Sequence, residues 1–364
     1  MKKSLIYILS IIFSIVLCSQ VKARVTGVCS NCHTMHNSQG GAPMAFQINA
    51  GYTGYISAVS PNPQLLLTGC VGCHTALGGS TWKDPVTGAP IVYNTGAPTS
   101  CLAGGNFYWV ANGADAKGHN VSGIASQDEA ITTAEGAPGG SGCGGGSCHD
   151  TLALVTTTGL LVAPGGCQGC HLNVMHHAND GTGTKYVDSA VKGWYRFLSG
   201  HMTANNSGVK GIEDRDWGYN DSSSEHNEYL GVAVDKTGST SLTNGSMTAF
   251  CCGCHGDFHT EQDSSGIWIR HPSDTVILNS GEYSNAFGAD GSGYGIYNPD
   301  IPVARPSPQT TDPNLVYIGT DMVMCLSCHR PHGSPYYKML RWNYDSTSLT
   351  TALEGCNVCH ASKN

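Results

Sequence analysis

Cys29-Ser30-Asn31-Cys32-His33-Thr34-Met35-His36 is the stretch that decides how this chain is read. Its first five residues spell C-x-x-C-H, the attachment signal for a c-type haem. Two thiols add across the porphyrin vinyl groups, and the adjacent imidazole binds the iron. Five more copies follow with different filling, at Cys70/Cys73/His74, Cys167/Cys170/His171, Cys251/Cys254/His255, Cys325/Cys328/His329 and Cys356/Cys359/His360. A single copy reads as an accident or a redox dithiol. Six copies, each closed by histidine, read as a scaffold for a row of irons.

Length alone, 364 residues, suggests two domains. The motifs run from residue 29 to residue 360, however, so residues 24–364 read as one multihaem domain. Only 12% of the chain is charged, and it contains 48 glycines. A chain this rich in Gly, Ser, Thr and Asn struggles to bury enough apolar surface to offset its ordering entropy. Haems change that balance, because each is a large flat apolar body tied down by two thioethers and an iron–nitrogen bond. The expected fold is coil-rich, with few short helices, little sheet and a core built from a chain of stacked haems.

Residues 1–23 read as an export signal. Lys2 and Lys3 form the basic region, Leu5 to Leu17 the apolar region, and Val21-Lys22-Ala23 a cleavage site. The rival reading is a lipoprotein signal acylated at Cys18. Covalent haem attachment takes place outside the cytoplasmic membrane, which agrees with export to the cell surface or the periplasm. No further long apolar run follows, so no membrane span is expected. Without Lys2, Lys3 and Lys22 the balance is 15 basic to 26 acidic residues, a net of −11. That charge disfavours nucleic acid and anionic membrane surfaces as partners.

Between the motifs there is little periodicity. Leu65-Leu66-Leu67 is expected to pack on a haem face, and Phe107-Tyr108-Trp109-Val110 reads as a short strand. Residues 186–200 are the best helix candidate, since Val187, Val191, Trp194, Tyr195 and Leu198 recur near helical spacing. The acidic run over 213–230 reads as a solvated loop rather than a calcium site. Residues 273–320, with Pro299, Pro302, Pro306, Pro308 and Pro313 and no Cys or His, read as a surface covering.

Cys143-Gly-Gly-Gly-Ser-Cys148-His149 is C-x4-C-H, a widened form of the signal. Its glycines let the longer loop bulge while both sulfurs reach the ring. Counted in, it gives seven haems c; a Cys143–Cys101 disulfide would give six. Cys101 and Cys252 are otherwise left over. Cys252 is a bystander beside Cys251, replaces it in the thioether, or pairs with Cys101.

Seven irons take seven proximal imidazoles: His33, His74, His149, His171, His255, His329 and His360. Nine histidines remain as distal candidates: His36, His119, His176, His177, His201, His226, His259, His271 and His332. Supply meets demand with two to spare, and of the adjacent His176 and His177 only one is expected to bind. With imidazole in surplus, Met35 and Met175 are packing residues rather than ligands. His36 lies three residues after His33, His332 three after His329, and His259 four after His255. A residue so close to a proximal histidine cannot cross to the other face of the same iron. If it binds, it binds a different haem and holds two haems together.

Cys29–Ser38 (CSNCHTMHNS), Cys251–Pro272 (CCGCHGDFH…RHP), Cys325–His332 (CLSCHRPH), Cys356–Lys363 (CNVCHASK) and Gly118-His119-Asn120 together resemble the OmcS-type outer-surface cytochromes of metal-respiring bacteria. The resemblance covers about a third of the chain. It implies bis-histidine irons in a mostly coil fold that polymerises with its haems along the filament axis. It also implies that His36 ligates a haem of the neighbouring subunit. Cys143–His149 and the stretch from Tyr195 to His226 depart from the pattern, as does a seventh haem. The function expected is electron transfer rather than catalysis, as an extracellular conduit. Its partners would be other cytochromes and redox proteins, a second copy of the chain, and a mineral or electrode as terminal acceptor. A soluble periplasmic shuttle is the alternative. A multihaem oxyanion reductase is disfavoured, since it needs an open iron and acid–base groups beside it.

Overall fold

The structure is a computed structural model and describes residues 27–48, 55–128, 152–153, 166–172, 174–178, 185–200, 208–233, 244–255 and 271–361. The export signal, the widened motif Cys143–His149, His201 and His259 lie outside the described residues.

Most of the described chain is coil and turn. The helices are short, and several coincide with motifs: Cys70–Cys73, Met247–Cys252, Cys325–Cys328 and Glu354–Asn357. Strands are two or three residues long. Six of them form one sheet in the order Thr275–Val276, Met322–Val323, Ala304–Arg305, Glu228–Leu230, Gly211–Ile212, Tyr186–Val187. Neighbours are antiparallel except Ala304–Arg305 against Glu228–Leu230. The expectation of few short helices and little sheet therefore holds. Among the described residues no helix is long and apolar enough to cross a membrane.

Three local expectations give way. Phe107–Val110 is not a strand, because Tyr108–Ala111 is a helical turn. Asn106 Oδ1 accepts the Tyr108 N–H at 3.0 Å, and Asn112 Nδ2 closes on the Tyr108 carbonyl. Those amide side chains outweigh the strand preference of the aromatics. Residues 186–200 are not a helix either. Tyr186–Val187 is a strand, and Trp194, Arg196 and Phe197 have φ of 55°, 48° and 61°. Val191, on the supposed apolar stripe, is 82% exposed.

The third correction concerns 273–320, which is core rather than covering. Ile277, Ala286, Phe287, Ala289, Tyr297, Ile301, Val303, Val316 and Ile318 form a buried cluster with Trp342. Single apolar residues placed between turns carry no periodicity, so the segment looks like loop. Trp342 donates its indole N–H to the Ala352 carbonyl at 3.0 Å and lies flat on Gly355, where any Cβ would meet the ring at 2.2 Å.

The acidic stretch is not solvated throughout. His226, Asn227 and Glu228 are buried, and Asp214, Asp216 and Asp221 are half-buried. Carboxylate oxygens of these three aspartates lie within 4.8 Å of one another. Asp214 also accepts the Asp216 and Gly218 N–H groups of its own loop.

Arg305, fully buried, donates to Glu228 at 3.1 Å and lies 3.7 Å from Asp321. Burial pushes Glu228 up to about 7 and Asp321 up to about 6, although Arg305 pulls both down. An acid whose folded pKa is raised contributes stability fully below its unfolded pKa and loses it as pH rises through the folded value. Unfolding of the loaded protein should therefore be harder at pH 5 than at pH 8. Glu228→Gln should flatten part of that slope in denaturant titrations; an unchanged slope would exclude Glu228 as its source.

Candidate functional site

All six regular motifs fold the same way. In each, the histidine N–H donates to the carbonyl of the first cysteine, from His33 to Cys29 (2.9 Å) through to His360 to Cys356 (2.9 Å). One helical turn places residues i and i+3 on a common face, so both sulfurs and the following imidazole converge on one ring.

The sulfurs run from motif to motif in sequence order. Cys73 lies within electrostatic reach of Cys32, and the sulfurs of Cys70 and Cys167 lie side by side. Cys170 is influenced by Cys254, the sulfurs of Cys251 and Cys325 lie side by side, and Cys328 is influenced by Cys356 and Cys359. Cys251 thus faces the row, and Cys252 beside it is 3% exposed. Cys101 is half-buried, and burial pushes its thiol pKa up.

Histidines far apart in sequence face each other in pairs. Ring centres are 6.3 Å apart for His33 and His177, for His74 and His176, for His171 and His332, and for His271 and His360. For His119 and His255 the separation is 6.1 Å. A metal–imidazole bond is about 2 Å and the ring centre lies about 1 Å further on, so two imidazoles trans on one metal have centres about 6 Å apart. Direct ring stacking is closer, as for Phe107 on His332 at 4.7 Å. Each pair joins a motif histidine to a histidine outside the motifs.

On several of these rings the other nitrogen is occupied. Nδ1–H of His33 donates to the Gln64 carbonyl (3.0 Å), of His74 to Pro90 (2.8 Å), of His171 to Arg196 (2.9 Å) and of His329 to Lys338 (2.9 Å). On the distal side, His119 donates to Pro331 (2.7 Å) and His271 to Pro272 (2.9 Å). A carbonyl on Nδ1 fixes the tautomer and leaves Nε2 as the metal-binding atom. Burial lowers the pKa of His74, His119, His171 and His329, and that of His332 to about 3. These rings are therefore neutral at pH 7, as ligation requires. Paired sulfurs, neutral imidazoles and the 6 Å gap together fit haem c.

His360 is held differently. Its Nδ1 meets the Glu282 carboxylate at 3.0 Å. A carboxylate makes the imidazole a stronger donor and favours ferric iron. If His360 ligates a haem, Glu282→Gln should raise the potential of that haem by roughly 30–60 mV, a few-fold to tenfold change in its reduced-to-oxidised ratio. A potentiometric titration in which no component moves would count against this.

Both members of the His176–His177 pair face a motif histidine, contrary to the expectation that one would be idle. The turn over 176–178 sends the adjacent rings to different partners. His226 is the opposite case. Its ring centre is 3.6 Å from that of Tyr297. Burial, and then Arg305, lowers its pKa to about 4. His226 is thus a buried ring packed on tyrosine that faces no motif histidine among the described residues, and neither of its ring nitrogens has a hydrogen-bond partner. His36 is exposed, next to Met35 at 80% exposure. No histidine among the described residues faces His329.

Residues 319–364 match the family model described as the doubled CXXCH motif. Across 390 aligned residues the chain is 28% identical to the C-type cytochrome OmcS of Geobacter sulfurreducens, covering 89% of this chain and 81% of that protein. Among solved structures, it is similar to the Outer Membrane Cytochrome S filament of the same organism at 20% identity and TM-score 0.47. A second match, to the OmcS nanowires, has 20% identity and TM-score 0.44. In both cases 94% of this chain and all of the other are covered.

Proposed function

We propose that this OmcS-like chain is an exported electron carrier, not an enzyme. In this reading it holds seven haems c and joins end to end with copies of itself outside the cell. The observation that carries the reading is the row of five facing histidine pairs, each anchored by a C-x-x-C-H motif whose sulfurs adjoin those of the next. Haem supplies one-electron chemistry at iron. The chain's own residues fix the order of the rings, keep Nε2 of each imidazole on its metal and exclude water from the buried positions. An iron held between two such imidazoles would have no position left for an oxyanion. The likeness to OmcS supports the carrier and the polymer alike.

The assigned pairs are His33 with His177, His74 with His176, His171 with His332, His255 with His119, and His360 with His271. His329 and His149 then need partners, and His36, His201, His226 and His259 are left to supply them. His36, exposed and unable to reach the iron of His33, serves the next subunit. Other cytochromes would deliver electrons to the polymer, and a mineral or electrode would take them.

The test is the purified secreted protein itself, examined by intact mass and electron paramagnetic resonance. Seven haem masses on a chain starting near Arg24, with every ferric iron low-spin, are expected. A high-spin iron that binds nitrite would turn the reading towards a reductase. Six haem masses would return Cys143–His149 to free thiols or a disulfide.

A further inference from the structure

Three carbonyls that receive a motif histidine's Nδ1–H come from the same uncommon backbone. Gln64 (φ 56°), Arg196 (48°) and Lys338 (54°) are left-handed, and each is followed by a second left-handed residue: Leu65 (57°), Phe197 (61°) and Met339 (52°). Non-glycine residues seldom adopt this region, and a consecutive pair is held only where the surroundings over-determine it. Here the same pair recurs three times, each against an imidazole.

At two motifs the match extends further. Thr34 N–H donates to Leu65 (2.7 Å), as Arg330 N–H does to Met339 (2.9 Å). Leu67 N–H donates to the second motif cysteine, Cys32 (2.8 Å), as Arg341 N–H does to Cys328 (2.9 Å). His33 bridges to Leu66 and His329 to Leu340 in the antiparallel sense. The turns read Pro63-Gln64-Leu65-Leu66, Tyr195-Arg196-Phe197-Leu198 and Tyr337-Lys338-Met339-Leu340: a ring, a long polar residue, an apolar residue and leucine. The accepting residues lie 31, 25 and 9 positions after their histidines, so loops of unequal length return to one docking geometry. The histidines served belong to the first, third and fifth regular motifs. The second uses Pro90 and the sixth Glu282.

We propose that this four-residue turn is a recurring positioning element for the proximal imidazole, serving three of the motif histidines. It rests on the reading above that His33, His171 and His329 are haem ligands. The turn's carbonyl holds the ring plane and draws on the Nδ1 proton, making Nε2 a stronger donor. Stronger donation favours ferric iron, so the turn lowers the potential of the haem it serves. Only the backbone oxygen is used, which is why Gln, Arg and Lys all occupy the first left-handed position. Glycine should serve as well, whereas a β-branched residue opposes positive φ.

The experiment uses the full loaded chain with Lys338→Gly, Lys338→Ala and Lys338→Val, and the same three changes at Gln64; both residues are exposed. Intact mass gives haem content and potentiometric titration gives the potentials. Lys338→Gly should match the parent. Lys338→Val should move one haem's share of the absorbance to higher potential with haem content unchanged. Alanine should fall between, so the ordering survives if a valine variant does not accumulate. A flat series, or glycine moving as far as valine, would overturn the turn's role. The second outcome would point to the Lys338 ammonium, which lies over the Tyr337 ring at 5.2 Å. If the parent lacks haem at these motifs by peptide mapping, the underlying reading fails instead.

Discussion

His36→Ala will secrete a chain with its full complement of haem that no longer polymerises. The physical case starts from exposure. His36 follows His33 by three residues on a motif whose own histidine is faced by His177. Its backbone is tied locally, the His36 N–H donating to Thr34 Oγ1 at 3.2 Å and the same hydroxyl donating to the His36 carbonyl at 2.8 Å. Its ring is therefore presented outward by the motif rather than by a flexible tail. If His36 serves the next subunit, removing it would disturb nothing inside the chain but delete one iron–nitrogen bond at every joint. Changes behind a ligand alone cost about 10–100-fold in metal affinity, so losing the ligand should weaken each joint by more than about 100-fold. Sedimentation and negative-stain images of the secreted protein read the result. Added imidazole should convert the exposed iron to low-spin without restoring filaments, since it fills the position but bridges nothing. Filaments of normal length from the variant would assign His36 to nothing and leave His201, His226 and His259 to close the remaining irons.

The parts of this molecule legible in the sequence are those where covalent chemistry dictates spacing. C-x-x-C-H must be local because two sulfurs and one imidazole meet one ring. The facing histidine is under no such constraint. His171 and His332 come together across 161 positions, and nothing in the chain between them announces it. His176 and His177 show the same limit. A reading by supply and demand treats neighbours as competitors, whereas a tight turn sends them to His74 and His33. The left-handed turns did leave a signal, the pattern ring–polar–apolar–Leu at 63–66, 195–198 and 337–340. Its offset from the motif varies, so it is invisible until the hydrogen bonds are known. Residues 273–320 were illegible for another reason: their buried side chains sit singly between turns, and one buried arginine, not a hydrophobic stripe, organises the strands around them.

That arginine carries the second large effect. Arg305→Ala should destabilise the protein by about 3–5 kcal/mol, the usual result of removing one partner from a buried ion pair. Arg305 is fully buried on the strand that joins Glu228–Leu230 to Met322–Val323. Beyond Glu228 and Asp321, it donates to Thr311 Oγ1 (3.3 Å) and to the carbonyls of Asp312 (3.2 Å) and Leu315 (2.9 Å). Its loss strands two carboxyl groups and two carbonyls in the interior. Arg305→Lys should recover part of the loss, since an ammonium restores the charge but not the planar fork that reaches several acceptors at once. The deficit should also depend on pH. With the guanidinium gone, both carboxyls are favoured only when protonated, so the variant should lie closer to the parent at pH 5 than at pH 8. Denaturant unfolding followed by circular dichroism at the two pH values reads both effects. A loss below about 1 kcal/mol at pH 8 would mean that water enters and solvates the carboxylates. The network would then be a hydrated pocket rather than the clamp that holds the central strands together.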